Sequence, residues 1–346
     1  MFELLAMICI EGICQERLLP APALQTEAAC IAGAARVEGW VNAREGTSVQ
    51  STRCAALEDL IAGAATVTEV TPGAFVHQGL IEDTTKRNAG DVSNHGFIIG
   101  ETSVAVIDAG YSRALGEALY LAIRAQTDKP ISHIIFTHMH PDHTLGGDVF
   151  LEAGAEGLGA PKFQSAYDNR VLGYIDAQTR LIGAENGHGT FGEIKAREVI
   201  EETIDLGARP LRLMSYPTAH TTNDMTILDE TAETIWMGDL TFLGHTPALD
   251  GSITGWIALL DSLKAGEARR MVPGHGPAQV AFPSGANPTL DYLKGLATSI
   301  RASIAKGESL QTALKDTGED LRKDWKLWDE FHLRNATNAY IELEWE

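Results

Sequence analysis

Hydrophobic and polar positions follow two textures along this chain. From about residue 69 onward, short apolar, β-branched runs closed by Gly, Asn or Asp alternate with segments whose apolar residues recur at helical spacing. That alternation predicts a layered α/β domain. Strands are expected at 74–77, 95–99, 103–108, 131–137, 203–206, 211–216, 224–229 and 234–238, with a short one at 270–272. Helices are expected at 112–126, 255–266, 288–306, 308–315 and 326–341. Periodicity fades between 151 and 200, where a helix near 164–177 and a loop around ENGHGTFG, placed to wall a cleft, are the expected contents.

Residues 1–68 read as a separate small unit and 69–346 as the main domain. The first unit holds the Pro-bearing LLPAPAL, the small-residue stretch LIAGAATV and all four cysteines: Cys9, Cys14, Cys30 and Cys54. MFELLAMICIEGIC has no basic flank before Arg17 and is interrupted by Glu3 and Glu11, so it reads as a short buried strand rather than a secretory signal. An even cysteine count in a segment too small for a good core points to two disulfides; four buried thiols fit about equally well. The spacings do not match a C-x₂-C ribbon, which puts a structural metal last. Disulfides favour a periplasmic location, the absence of an export signal a cytoplasmic one.

Composition narrows the partners. The chain has 346 residues, enough for one large core, and no apolar run that would span a membrane. With 47 acidic against 27 basic side chains, the net charge of −20 repels nucleic acid and anionic lipid. A small-molecule substrate is expected, with neither nucleic acid nor membrane as partner; a homo-oligomer is compatible with the composition.

The chemistry concentrates in ISHIIFTHMHPDHTLGG. A β-rich run feeds into His138, His140, Asp142 and His143, followed by a Gly-Gly turn. Alternate residues of an extended segment share a face, so His138 and His140 converge on one ion, while the turn at Pro141 sends Asp142 and His143 to a second. Four further residues are expected where strands stop: Asp108, His220, Asp239 and His275. Imidazole and carboxylate without thiolate suit two zinc ions, with iron or manganese as alternatives. A lone histidine such as His220 is more often a packed residue than a ligand. Four metal-type side chains within six residues reverse that expectation.

The run from Thr137 to His143, T-H-x-H-x-D-H, together with His220, Asp239 and His275, resembles the metallo-β-lactamase superfamily. The resemblance implies an αββα sandwich with a dinuclear site on one edge. By it, His138, His140 and His220 hold the first metal, Asp142, His143 and His275 the second, and Asp239 bridges, which favours a general hydrolase over a dedicated β-lactamase. NHGFIIGETSVAVIDAG, DLTFLGHTPALDGSITGWIALLD and the cysteine-bearing N-terminal unit further resemble the quinoprotein relay system zinc metallohydrolases, a SoxH-related group associated with periplasmic quinoprotein oxidation.

The expected function is a dinuclear zinc hydrolase that opens a lactone, β-lactam, ester or thioester by attack of metal-bound hydroxide, with Asp142 also orienting the nucleophile. Two readings compete: a mononuclear iron oxygenase of sulfur compounds, and a non-catalytic module binding a quinone cofactor or a partner. Asp108 is expected to fix an imidazole tautomer, with a turn-forming role nearly as good a fit. Asn94 and His95 are placed beside the metals or in the pocket, with turn chemistry an equally good explanation of the pair; His245 is assigned to the pocket, and Thr246 is expected near the metals. His188 is read as part of a solvated loop in preference to a flap. Trp325, Trp328, Phe331 and Tyr340 are read as helix packing.

Overall fold

The computed structural model describes residues 1–314 and 317–346. Two mixed sheets lie face to face. The first has seven strands in the order Arg197–Glu198, Glu156–Gly159, Ile131–Ile135, Val104–Ile107, His95–Ile99, Ala74–His77 and Thr68–Thr71. The second has six, ordered Glu201–Asp205, Pro210–Ser215, Met225–Asp229, Thr234–Phe242, Arg270–His275 and Val280–Ala281.

Strand period explains the layers. In Val104–Ile107 every side chain is buried; Val104 and Val106 face the helix Arg113–Gln126, while Ala105 and Ile107 face the second sheet. From that sheet Leu211, Leu213, Ile227, Trp236 and Val272 complete the inter-sheet core. Leu228, Ile235 and Met237 point the other way, onto the helices Ile253–Leu263, Asn287–Ala305 and Trp328–Leu343. The result is the expected αββα sandwich.

The N-terminal residues form a third sheet, with Phe2–Ile10 between Ile13–Leu19 and Thr47–Ala56. The single short strand expected there is therefore a hairpin; Glu11 and Gly12, both at positive φ, turn it. Leu4, Ala6 and Ile8 pack with Cys30, Val37 and Val41 in a local core, while Leu5 and Leu18 join the main one. Disulfides link Cys9 to Cys14 and Cys30 to Cys54.

A buried ionic cluster fastens this sheet to the main body. The fully buried Arg113 binds Glu117 at 2.9 Å, Glu152 at 2.7 Å and the Leu18 carbonyl at 2.7 Å. Glu152 also accepts from the Trp40 indole, and Glu117 from the Leu18 amide.

Other departures have local causes. In place of one helix near 164–177 there are two, Phe163–Asp168 and Val171–Asn186. The helix expected at 308–315 is the short turn Leu310–Ala313, and position 315 lies outside the described residues. His188 is not solvated: it is buried, its Nε2 donating to the Ile13 carbonyl and its own carbonyl accepting from Arg17, so the loop is pinned under the hairpin.

Candidate metal centre

One edge of the sandwich gathers the chemistry. After Ile135 the strand Ile131–Ile135 of the first sheet runs on into Thr137, whose carbonyl accepts from Met225 of the second sheet at 2.9 Å. Asn94 makes a second tie, its amide reaching the Gly274 carbonyl at 2.7 Å and its Nδ2 the Pro273 carbonyl at 2.9 Å. Asp239 does not end its strand; it lies inside Thr234–Phe242, where pairing with Arg270–His275 slips around Gly238. Gly238 has φ of 49°, and a Cβ there would meet Thr137 Oγ1 at 2.5 Å. A Cβ on Gly274 would sit 2.0 Å from Asp239 Oδ1, so a bare backbone at 274 makes the cradle for that carboxylate.

Seven expected residues converge as two groups: His138, His140, His220 and Asp239, then Asp142, His143 and His275, with the ligand-type atoms inside each group within 4.8 Å of one another. Asp239 faces both. Its Oδ2 lies 3.7 Å from His138 Nε2 and 3.5 Å from His220 Nε2, and its Oδ1 lies 3.1 Å from His143 Nε2 and 3.3 Å from His275 Nε2.

The outer ring nitrogens fix the tautomers. His220 Nδ1 donates to the Ala248 carbonyl at 2.6 Å, His275 Nδ1 to the Val92 carbonyl at 2.8 Å, and His143 Nδ1 to Asp108 Oδ2 at 2.8 Å. Asp108, held at φ 55°, also accepts from Thr137 Oγ1 at 2.8 Å. That hydroxyl has thus spent its proton, and its oxygen accepts from His138 Nδ1 at 3.0 Å. Asp108 therefore orients one imidazole in each group. His140 is turned the other way: Nε2 donates to Asp250 Oδ2 at 3.1 Å, and Nδ1 faces inward.

The consequence is an arrangement that proteins avoid without a cation. His138 Nε2 and His220 Nε2 each lie 3.1 Å from His140 Nδ1, and none of the three carries a proton to share. Facing lone pairs at this distance repel, yet the spacing approaches the edge, roughly 3.3 Å, of a tetrahedron with ligands about 2.0–2.1 Å from zinc. His143 Nε2 and Asp239 Oδ1, buried 3.1 Å apart, also fail to reach hydrogen-bond geometry with each other or with any other group. Imidazoles whose second nitrogen is pinned to an acceptor are what metal ligation requires, so the residues fit a bound divalent cation in each group.

Charge agrees. Burial drives the His138 imidazole far below its ordinary pKa and takes His220 down to about 3. Burial opposes charge in the second group too, but the carboxylates of Asp239 and Asp142 outweigh it, holding His275 up at about 9 and His143 well above its usual value. Against burial, the imidazoles pull Asp142 and Asp239 below the usual carboxylate range. Protons thus stand in for positive charge that the cluster demands.

A cavity of about 440 Å³ opens over these groups. Asp142, His140, Asp239 and His275 reach it from below, and Tyr111, Arg170, Tyr174, Phe242, His245 and Phe331 wall it. Two pocket assignments need correction. Asn94 is consumed in cross-linking the sheets, and His95, only 1% exposed, lies against His77 with both ring nitrogens unpaired; neither lines the cavity. His245 does line it. Phe331 is not helix packing alone, since it covers His245 at 4.8 Å and faces the cavity; Trp328 packs on Tyr292 as expected. Asp250, which holds His140 and pairs with Arg170, escaped the sequence reading; it resembles a turn-forming Asp before Gly.

An αββα sandwich carrying a buried His/Asp cluster at one sheet edge is a hydrolase-type fold with a candidate metal centre. Residues 89–275, more than half of the chain, match the family model of the metallo-beta-lactamase superfamily, and the chain belongs to that superfamily, whose members are metallohydrolases. Its fold is similar to that of TMB-1, with 18% identity, a TM-score of 0.52 and coverage of 67% of this chain and 97% of that one. It is also similar to the stereoselective inverting sec-alkylsulfatase Pisa1 from Pseudomonas sp., at 15% identity and TM-score 0.61, over 80% of this chain and 50% of that one. A metallo-beta-lactamase from Pontibacter korlensis matches at 20% identity and TM-score 0.51, over 66% of this chain and 98% of that one. These likenesses are of fold, and they do not separate the quinoprotein-relay group from the rest of the superfamily.

Proposed function

We propose that this chain is a dinuclear zinc hydrolase of a small carbonyl substrate: a lactone, β-lactam, ester or thioester. The observation that carries the proposal is the set of inward ring nitrogens, each aimed there by an acceptor on the opposite ring nitrogen. His138, His140 and His220 would hold one ion, Asp142, His143 and His275 the other, and Asp239 both. Bound there, the two cations supply Lewis acidity and a lowered pKa for water, which is what carbonyl hydrolysis needs at neutral pH.

The chain supplies position and proton handling. Asp142 Oδ2 lies 3.5 Å from His143 Nε2 and 3.3 Å from His275 Nε2, and its side chain is 18% exposed toward the cavity. From that place it orients an incoming water and carries its proton toward the leaving group. Phe242, Leu327 and Phe331 contribute apolar surface to the same cavity. The cavity volume falls within the small-molecule range of roughly 300–1,000 Å³. In a mononuclear iron oxygenase, Asp142 and His275 would have no task.

The test is to quantify metal in the purified full chain and to assay lactones, β-lactams, thioesters and aryl esters in the same preparation. Two zinc equivalents with hydrolysis of one class are expected. His138→Ala and Asp239→Ala should lose metal and at least about a hundredfold in activity together, since even partners of metal ligands cost up to that much. One iron per chain, negligible zinc and no hydrolysis would reverse the assignment.

A further inference from the structure

His245 is 4% exposed, lines the cavity and belongs to neither ligand group. Its Nδ1 donates to the Thr246 carbonyl at 2.6 Å, which leaves Nε2 as a lone pair that can only accept. The ring is held by Phe242 at 5.3 Å, His275 at 4.7 Å and Phe331 at 4.8 Å between centroids. None of these offers a donor: the two phenylalanines have no polar hydrogen, and His275 spends Nδ1 on the Val92 carbonyl. Among the described residues Nε2 has no hydrogen-bond partner. Nε2 opens to the cavity, where water serves it, and a bound molecule that displaces this water leaves the acceptor unpaired unless it brings a donor of its own.

We propose that His245 determines specificity, and that the substrate is a carbonyl compound bearing an N–H or O–H group that donates to His245 Nε2. The proposal rests on the hydrolase reading and narrows it. Because the His245 ring lies tilted against His275 at 4.7 Å, and His275 Nε2 points into the second ligand group, the donor belongs within a few bonds of the reacting carbonyl. Hydroxyacyl and acylamino compounds meet that requirement, and simple alkanoyl esters do not. Thr246, by accepting from Nδ1, is the residue that turns the imidazole into an acceptor.

Two matched pairs of substrates test this with the metal-loaded enzyme: nitrophenyl esters of lactate and of its O-methyl ether, and of N-acetylglycine and of its N-methyl analogue. Within each pair only the available proton differs. The wild type should favour the donor-bearing member of at least one pair by about tenfold or more in kcat/KM. His245→Phe, which keeps the ring packing and removes the acceptor, should bring that ratio close to one at unchanged metal content; His245→Gln, which restores an acceptor, should recover part of it. No preference in an active wild type, or a preference that survives in His245→Phe, overturns the proposal. So does metal loss in His245→Phe, which would make Nε2 a ligand. If no ester is hydrolysed, the hydrolase reading fails separately, and calorimetric titration with N-acetylglycine and its N-methyl analogue decides the question: a difference in affinity abolished in His245→Phe supports the acceptor role, and equal affinities for the wild type reject it.

Discussion

The site is set residue by residue through backbone clearance as much as through ligands. Gly274 is the sharpest instance, because any side chain there would occupy the place of Asp239 Oδ1. Gly274→Ala should displace that carboxylate from the midpoint between the groups and lower metal content and activity at least about tenfold, with some loss of stability because the new Cβ also meets the Gly238 backbone at 2.7 Å. Normal zinc stoichiometry in the variant would show that Asp239 does not need its observed position. The convergence of the seven candidate residues was legible in the sequence, since four metal-type side chains within six residues have few other uses. Their supports were legible only in part. Asp108 ends a strand and invites the question; Val92 and Ala248 act through carbonyls that any residue carries, and Asp250 lies 110 positions from the histidine it holds.

At the scale of elements, legibility followed burial pattern. Strands such as Val104–Ile107, apolar throughout, announce themselves, whereas Glu156–Gly159, reading EGLG, has little β preference and exists because the strands Ile131–Ile135 and Arg197–Glu198 pair with it on either side. The N-terminal sheet was harder still: Ile13–Leu19 mixes charged and apolar residues because one end caps the buried ionic cluster. Its integrity leans on covalent ties. Cys30–Cys54 closes a loop with a sequence separation of 24 and joins the helix Glu27–Gly33 to the strand Thr47–Ala56. Reduction should therefore cost this sheet about 3 kcal/mol. Hydrogen exchange should accelerate by up to about a hundredfold in Phe2–Ile10 and Thr47–Ala56 and leave Arg270–His275 unaffected. Uniform acceleration, or none, would mean that the disulfides do not support this sheet separately from the sandwich.

Across the whole molecule, a net charge of −20 sets the background against which the centre works. An acidic protein attracts divalent cations to its surface, yet among the described residues only one place combines buried carboxylates with imidazoles already stripped of competing hydrogen bonds. Without metal, the second group satisfies its carboxylates with protons, His275 being held at about 9 and His143 above its usual value. Binding a cation must expel them, because only the unprotonated imidazole is a ligand. The sign follows. At pH 7 His275 of the metal-free protein is protonated, so apparent zinc affinity rises with pH up to about 9 and weakens as pH falls, by about tenfold per unit for each displaced proton. The first group behaves differently, since burial keeps His138 and His220 neutral throughout that range. Titrating metal-free protein with zinc between pH 6 and 9 in buffers of different ionisation enthalpy should resolve two classes of site, the second group releasing more protons on binding than the first. Two sites with the same pH response would contradict the division of labour that the carboxylates impose on the two halves of the centre.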